Sequence, residues 1–466
     1  MSAHLRKRFA ERDTEIVEQE RVLDQLRQTR SDVERELHAT ATYPILTLPT
    51  EITAEIFGHC LLVFGVCSIP RTYKRSAPII LSAVCRAWRD ITLATPILWS
   101  ELHVRFDELA TGVVTTAGLI EDSLDLWLAR AGSRSLSLDF ISREGHPFAL
   151  SRLRDIINRW SHQVEDLCVD IAWRNIQTLG LESAAFPLLQ GATLECDYIP
   201  ALTFFDNSPR FCDLRLRSSS AGFIPSTFTQ QLTKFEGLMW TLQLLTLAPN
   251  LTEIRCSFEP HPEDHAPTAI THHNVRSLAI FVDEFDDWAD ILPYLILPAL
   301  HHLDVSAMDN YDTLESFLAR SSPPLVSLSV KGTTSCFDHW SPCTALVDGT
   351  LENLEVWGVS NQKMPSIFTF LYPLPNIQSL CFKDLEDPLN LHLLLQSLYE
   401  RSLKLRSFRV DWGFGRFIES SLIPAGPPIS DTIGGHLSRL ARLGMDIDLG
   451  KNYVSIGDIV IGRQKI

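Results

Sequence analysis

A short pattern of apolar residues recurs along most of the chain, and it constrains the fold more than any other feature. Each unit has an apolar residue, two others, a second apolar residue, one other and a third apolar residue. Nine such units follow in order: Val164–Val169, Phe211–Leu216, Leu251–Cys256, Val275–Ile280, Leu300–Val305, Leu325–Val330, Leu351–Val356, Ile377–Phe382 and Leu405–Val410. From Leu278 onward, the second apolar residue recurs at a nearly constant interval, at Leu303, Leu328, Leu354, Leu380 and Phe408. Because apolar and other residues alternate at the end of each unit, every unit predicts a short strand with one buried face.

Segments with helical periodicity lie between these units, for example at Leu314–Leu318 and Leu391–Leu398. A strand followed by a helix at a short, regular interval is typical of a solenoid, in which each repeat stacks on its neighbours. The fold class that we predict is therefore α/β, with short parallel strands and helices over residues 107–443 and capping strands over residues 444–466. An unrelated α/β domain with parallel strands is the alternative.

Residues 1–42 have a different character, because they are rich in charges of both signs and contain no Gly or Pro between residues 4 and 38. Strong helix formers and opposite charges four residues apart predict a long helix. With Phe9 at heptad position a, a seam forms from Leu5, Phe9, Ile16, Leu23, Leu26, Val33 and Leu37, interrupted by Arg12, Gln19 and Arg30. Two arrangements are open: a coiled coil that makes the protein a homodimer, and a single helix that lies against the next domain.

Two short apolar helices with tryptophan are predicted between residues 48 and 104. Pro49 suits the first turn of a helix, and Ile52, Ile56 and Phe57, with Cys60, then fall on one helical face. A second stripe runs along one further helix, at Leu81, Val84, Cys85, Trp88 and Ile91. Pro96 then prevents further helix, and the segment closes at Trp99. About fifty residues cannot bury this much apolar surface internally, so the pair suggests a docking module that a partner protein completes. An ordinary helical hairpin with a tryptophan-rich core is the alternative.

These residues resemble the F-box, the adaptor-binding element of SCF-type cullin–RING ubiquitin ligases, over residues 43–106. The family pattern is leucine-proline-x-glutamate-isoleucine and then valine-cysteine-x-x-tryptophan, and it is present here from Leu48 to Ile52 and from Val84 to Trp88. The extended form, which closes at Trp99, is similar to the large F-box families of basidiomycete fungi. The resemblance implies contact with the adaptor by Leu48, Pro49, Ile52, Ile56, Phe57, Val84, Cys85, Trp88 and Trp99.

The repeated units resemble leucine-rich repeats, which follow an F-box in a common family combination. Together the two resemblances imply a substrate-recognition subunit of an SCF ubiquitin ligase. The F-box would dock on the adaptor, and the repeats would hold a target protein that the sequence does not identify. The alternative is a scaffold that binds other proteins through its repeats without an adaptor.

Catalytic and metal-binding motifs are missing from the sequence. It contains no phosphate-binding loop, no His-Glu-x-x-His and no Gly-x-Ser-x-Gly. Ten cysteines are scattered without paired spacing, which is typical of buried thiols in a reducing compartment. We therefore expect a non-catalytic protein with no cofactor and no metal. An enzyme hidden in the repeats would instead require titratable groups with shifted pKa values in a deep pocket.

Charge and hydropathy argue against two classes of partner. The net charge of −16 disfavours nucleic acid and anionic membrane surfaces. No run of eighteen apolar residues could span a bilayer, and the charged residues from Arg6 to Arg12 are unlike a signal peptide. We therefore expect a cytoplasmic or nuclear protein.

Overall fold

The structure is a computed structural model. It describes residues 2–40, 48–64, 68–69, 76–105, 117–142, 147–172, 179, 181, 184–195, 205–217, 227–239, 242–258, 269–281, 291–308, 311–332, 341–347, 349–357, 374, 376–383, 405–410 and 446–448. The helix predicted at Leu391–Leu398 and most of the predicted capping strands lie outside these residues. The chain divides into two compact units: Met1–Glu101 with Trp127–Gly132, and Leu102–Leu126 with Ser133–Ile466.

The first unit is helical. Its helices are α1 (Ser2–Thr40), α2 (Thr50–Phe64), α3 (Ala77–Val84), α4 (Arg86–Leu93) and the end of α5 (Ala117–Arg130). A single turn of 3-10 helix at Pro96–Trp99 follows α4, and a two-residue strand, β1, lies at Ser68–Ile69.

The predicted N-terminal helix is confirmed. Helix α1 has 39 residues and is therefore about 58 Å long. Five ion pairs within the helix, at N–O distances of 2.6 to 3.2 Å, join Arg12 to Glu15, Arg21 to Glu18, Arg27 to Asp24, Arg30 to Glu34 and Arg35 to Asp32. Every α1 side chain that the structure describes is exposed. Such pairs contribute only ~0.3–0.5 kcal/mol each, so they support the helix without supplying a core.

A break at Cys85 divides the second apolar helix, and our prediction of one helix from Leu81 to Ile91 is wrong. Cys85 is extended, with φ −156° and ψ 173°, and it lies between α3 and α4. The amide of Trp88 donates to Cys85 Sγ at 3.5 Å, so the thiol caps the start of α4 as a serine hydroxyl commonly does. The Arg89 Nε donates to the carbonyl of Ser82 at 2.9 Å and satisfies the last turn of α3.

The second unit contains a long parallel sheet, as the apolar units predicted. Its strands are β2 (Glu101–Arg105), β3 (Leu136–Ser142), β4 (Val164–Ile171), β5 (Gly191–Glu195), β6 (Asp213–Arg217), β7 (Lys234–Met239), β8 (Glu253–Phe258), β10 (Ser277–Ile280), β12 (His302–Met308), β13 (Ser327–Gly332), β14 (Asn353–Trp357), β15 (Ser379–Lys383), β16 (Ser407–Val410) and β17 (Asp446–Asp448). They lie side by side in chain order. Strands β9 (Ile270–Thr271) and β11 (Leu295–Ile296) form a separate parallel pair.

The register places the second apolar residue of each unit in one row across the sheet. Direct pairing runs through Leu138, Leu167, Ala192, Leu214, Phe235, Ile254, Leu278, Leu303, Leu328, Leu354, Leu380 and Phe408. All of these side chains are buried. Because side chains alternate across a strand, the neighbouring positions on each strand form rows on the opposite face of the sheet.

Helices and short turns connect the strands. They include α6 (Pro147–Trp160), α7 (Gln243–Leu247), α8 (Tyr311–Ser321) and α9 (Ser341–Val347). Helix α8 contains the segment Leu314–Leu318, where we predicted a helix, and buries Leu314, Phe317 and Leu318. The structure thus establishes an α/β unit with a long parallel sheet.

Candidate functional site

Helix α2 has apolar residues on two different sides. Thr53 and Phe57 are buried, whereas Ile52 and Ile56 are 51% and 39% exposed. Our prediction that Phe57 shares a face with the two isoleucines is therefore wrong. Phe57 lies five residues after Ile52, which is about 140° around a helix, so it faces the core of the unit instead.

An exposed apolar stripe remains on the outer side of α2. We define the apolar stripe as Leu48, Ile52 and Ile56, which are spaced four residues apart. Leu48, just before the helix, is 38% exposed. The exposed carboxylates of Glu51 and Glu55 are on the same helix. The apolar stripe is thus accessible to a partner within the part of the chain that the structure describes.

The buried side of α2 packs against α4. The rings of Phe57 and Trp88 meet edge to face, with centroids 4.9 Å apart and an interplanar angle of 61°. Thr53 Oγ1 donates to the carbonyl of Pro49 at 3.2 Å, within the first turn of α2. Phe57 is therefore part of the core of the unit, and Trp88 is only partly buried.

Trp99 lies in the core as well. It is fully buried, and its ring meets that of Trp127 with centroids 4.7 Å apart. Trp99 Nε1 donates to the carbonyl of Thr92 at 2.9 Å, and the Arg130 guanidinium lies 4.5 Å from the centre of the ring. A buried indole with a satisfied N–H stabilises the unit itself.

The nine residues implied by the F-box resemblance thus occupy three environments. The exposed ones are Leu48, Pro49, Ile52, Ile56 and Val84. Cys85 and Trp88 are partly buried, and Phe57 and Trp99 are buried. The sequence alone could not make this division, because the core and the surface of a small helical unit draw on the same apolar residue types. Contact of these residues with an adaptor stays a prediction.

The face of the sheet opposite the core row is polar, and it is not among the predicted sites. In register across the strands it carries Asp139, Cys168, Thr193, Arg215, Glu236, Arg255, Ala279, Asp304, Ser329, Glu355, Cys381 and Arg409. Ion pairs on this face join Arg215 to Asp213 at 2.9 Å and Lys234 to Glu253 at 2.9 Å. In the sequence, the residues of this face stand just after the second apolar residue of each unit, and this is the position from which the polar face could have been predicted.

A histidine, an aspartate and a cysteine meet on this face at strands β2 to β4. His103 Nδ1 contacts Asp139 Oδ2, and Asp139 pairs directly with Cys168 in the register of the strands. Burial raises the pKa of the Cys168 thiol to about 12, and the negative charge of Asp139 contributes to this rise. A reactive cysteine needs a lowered pKa, so this environment disfavours ionisation of the Cys168 thiol.

Two further properties concern the part of the chain that the structure describes. Within it, no group of three or more His, Cys, Asp or Glu side chains is placed to hold a metal ion. Among its helices, none combines the length and the apolar character that crossing a membrane requires.

Comparisons with known proteins add no assignment. Neither a scan against models of protein families nor a search of curated proteins finds a match for this chain.

Proposed function

We propose that the protein is the substrate-recognition subunit of an SCF-type ubiquitin ligase, in which residues 43–106 form the F-box. The observation that carries the proposal is the exposed apolar stripe, Leu48, Ile52 and Ile56, on a helix that already buries Phe57 on its other side. A helix with one apolar side in its own core and a second one in water is suited to docking. Its sequence pattern is the one that resembles the F-box.

Burial of the apolar stripe supplies the driving force for binding the adaptor. Full burial of a leucine or isoleucine side chain contributes ~1.5–3 kcal/mol, and the stripe residues are already about half covered. Pro49 and Val84 add exposed apolar area, and Val84 is 58% exposed. Phe57 and Trp99 hold the helices in place and do not themselves form the contact surface in this proposal.

The second unit would hold the target protein. Its parallel strands recur at a nearly constant interval from Leu278 to Phe408 and stay in register, which supports a solenoid of leucine-rich-repeat type. The polar face of this sheet offers the recognition surface. The ligase partners would supply catalysis, because the receptor keeps the target lysine close to the conjugating enzyme. The protein would act in the cytoplasm or nucleus without a cofactor of its own.

Helix α1 would pair with a second copy of the chain. Phe9, Leu26 and Val33 in its predicted seam are 59% to 70% exposed, so these apolar side chains face water in the described part of the chain. In proteins, most of the stability of a helix comes from packing of its apolar side. A second copy of the same seam would provide that packing. A dimer would present two target-binding units and raise avidity.

Co-expression with the SCF adaptor tests the proposal. The double replacement of Leu48 and Pro49 by Ala removes exposed side chains, so the variant should still fold but lose co-purification with the adaptor. A variant with His302→Ala, an exposed position on β12, serves as the control and should co-purify like the wild type. A scaffold that works without an adaptor predicts no co-purification of any variant, and that result would replace the proposal.

A further inference from the structure

Three neighbouring strands bring two lysines to the sides of a tryptophan on the polar face of the sheet. Lys331 on β13 pairs directly with Trp357 on β14, and Trp357 pairs directly with Lys383 on β15. The Nζ atoms of Lys331 and Lys383 lie 5.7 Å and 4.6 Å from the centre of the indole ring. Both distances lie within the range of about 6 Å for an attractive cation–π contact.

Glu355 holds this arrangement in place, because it lies two residues before Trp357 and therefore on the same face of β14. Its Oε1 accepts a hydrogen bond from Trp357 Nε1 at 2.6 Å and lies 2.8 Å from Lys383 Nζ. The side chains of Lys383 and Glu355 are only 28% and 29% exposed, so solvent screens their pair less than it screens most surface ion pairs. We call Lys331, Glu355, Trp357 and Lys383 the Trp357 cluster.

One positive charge in the Trp357 cluster is not compensated. Glu355 neutralises Lys383, whereas Lys331 is exposed and has no carboxylate within 4.0 Å among the residues that the structure describes. The four side chains therefore carry a net charge of +1 on a chain whose net charge is −16. Asp304, on the same face, interacts electrostatically with Lys383 and Glu355 and also with the cation of Arg255. An anionic group that approaches this protein meets a local cation here.

The indole is not needed for the core of the sheet. The core side of β14 is filled by Leu354 and Val356, which are 2% and 1% exposed, and Trp357 lies on the other face. Trp357 is a large aromatic ring that is fixed by a hydrogen bond and partly open to water. Tryptophan is enriched among the residues that contribute most to binding at protein interfaces.

We propose that the Trp357 cluster binds an extended acidic segment of the target protein, with one carboxylate at Lys331 and an apolar side chain against Trp357. The inference rests on the proposed function in that it names the target-binding surface of the receptor. A carboxylate fits better than a phosphate, because the cluster offers a single free lysine. One lysine balances the single charge of a carboxylate but not the charge of about −1.5 to −2 on a phosphorylated side chain.

The test uses the full chain labelled with 5-fluorotryptophan. Loss of one fluorine resonance in Trp357→Phe assigns the signal of Trp357 among the ten tryptophans. An acetylated decapeptide of alternating Glu and Leu is then titrated, with peptides that carry Gln or phosphoserine in place of Glu. We expect a saturable shift of the Trp357 resonance with the Glu peptide, and binding of the Gln peptide at least ~10-fold weaker.

Charge reversal at two positions separates this site from a general electrostatic effect. Lys331→Glu should weaken binding of the Glu peptide at least ~10-fold, because it replaces the free cation with an anion. Arg217→Glu makes the same charge change at an exposed position on β6 and should leave affinity within about twofold.

Three results would overturn the proposal. They are no shift of the Trp357 resonance up to about 1 mM peptide, equal weakening by both charge reversals, and tighter Lys331-dependent binding of the phosphoserine peptide. Adaptor binding by the wild type and by Lys331→Glu keeps the two proposals apart. If the wild type binds the peptide but not the adaptor, this site stands and the ligase assignment fails. If the wild type binds the adaptor but not the peptide, the ligase assignment stands and this site fails.

Discussion

The rings of Phe57 and Trp88 pack edge to face, with centroids 4.9 Å apart, and this contact joins α2 to α4. It divides the apolar surface of α2 in two, because Phe57 is buried while Ile52 and Ile56 are not. The relationship explains how a small helical unit can fold and still keep apolar residues free for a partner.

Phe57→Ala should destabilise the first unit by ~3–5 kcal/mol, because it leaves a cavity beside Trp88. Ile56→Ala removes a side chain of the same helix that is only about half covered, and it should change stability by ~1 kcal/mol or less. Urea denaturation followed by far-ultraviolet circular dichroism measures both. Similar losses for the two variants would show that α2 is not oriented as described.

Gly237 on β7 should not tolerate a side chain. Its φ is +154°, and an added Cβ would lie 2.6 Å from the carbonyl oxygen of Leu216 on the neighbouring strand. Gly237→Ala should therefore cost ~1–3 kcal/mol in the free energy of unfolding. Gly349→Ala, where nothing lies within 4 Å of the added atom, is the matched control and should be within ~1 kcal/mol of the wild type. Equal denaturation midpoints for the two variants would contradict the register of β6 and β7.

The sequence predicted the parallel sheet well because its signal is local and repeated. The interval from Leu278 to Leu303 and on to Leu328 is nearly constant, and these residues pair directly in the structure. The strand β7 does not follow the pattern of the nine units, because Gly237 stands where the third apolar residue would be and the backbone of Leu216 approaches it closely.

The break at Cys85 and the buried position of Phe57 could not be predicted from periodicity. The helical spacing of apolar residues continues through Cys85, whereas the break depends on hydrogen bonds to the sulfur of Cys85 and to the carbonyl of Ser82. The Trp357 cluster was missed for a different reason. Lys331, Trp357 and Lys383 belong to three successive repeats and are far apart in the sequence, and only the register shows that they are neighbours.

Three thiols should make stability fall at alkaline pH. Burial raises the pKa of Cys168, Cys256 and Cys343 to about 12, from an ordinary value of 9.0. Between pH 9 and 12 the unfolded chain releases these protons and the folded chain keeps them. The raised pKa values therefore stabilise the folded state fully below pH 9, and this contribution is lost as the pH rises through 12. Each thiol adds a slope of at most ~1.4 kcal/mol per pH unit.

Comparison with a variant in which all three cysteines are replaced by Ala isolates this effect from the titration of Lys and Tyr. We expect the free energy of unfolding to fall more steeply with pH above 9 in the wild type than in the variant. Parallel curves would mean that these thiols ionise as readily in the folded protein as in the unfolded chain.

Self-association should depend on the seam of α1. Light scattering at micromolar concentration should give twice the chain mass of 52.6 kDa for the wild type. Leu26→Lys places a charge at a core position of the coiled coil and should give the monomer mass. Val17→Lys changes an equally exposed residue at a position outside the seam, so it should stay dimeric. A monomeric wild type would leave α1 as a single helix.

The affinity of the purified protein for the SCF adaptor tests the central claim most directly. Ile52→Asp places a charge in the apolar stripe, where burial against a partner would leave it unpaired. Val17→Asp makes the same change at an exposed apolar position on α1, and it is the control. By isothermal titration calorimetry, we expect binding by the wild type and by Val17→Asp within about twofold of each other. Binding by Ile52→Asp should be at least ~100-fold weaker, which corresponds to ~2.8 kcal/mol. Absence of binding by the wild type, or equal binding by Ile52→Asp, would contradict the account.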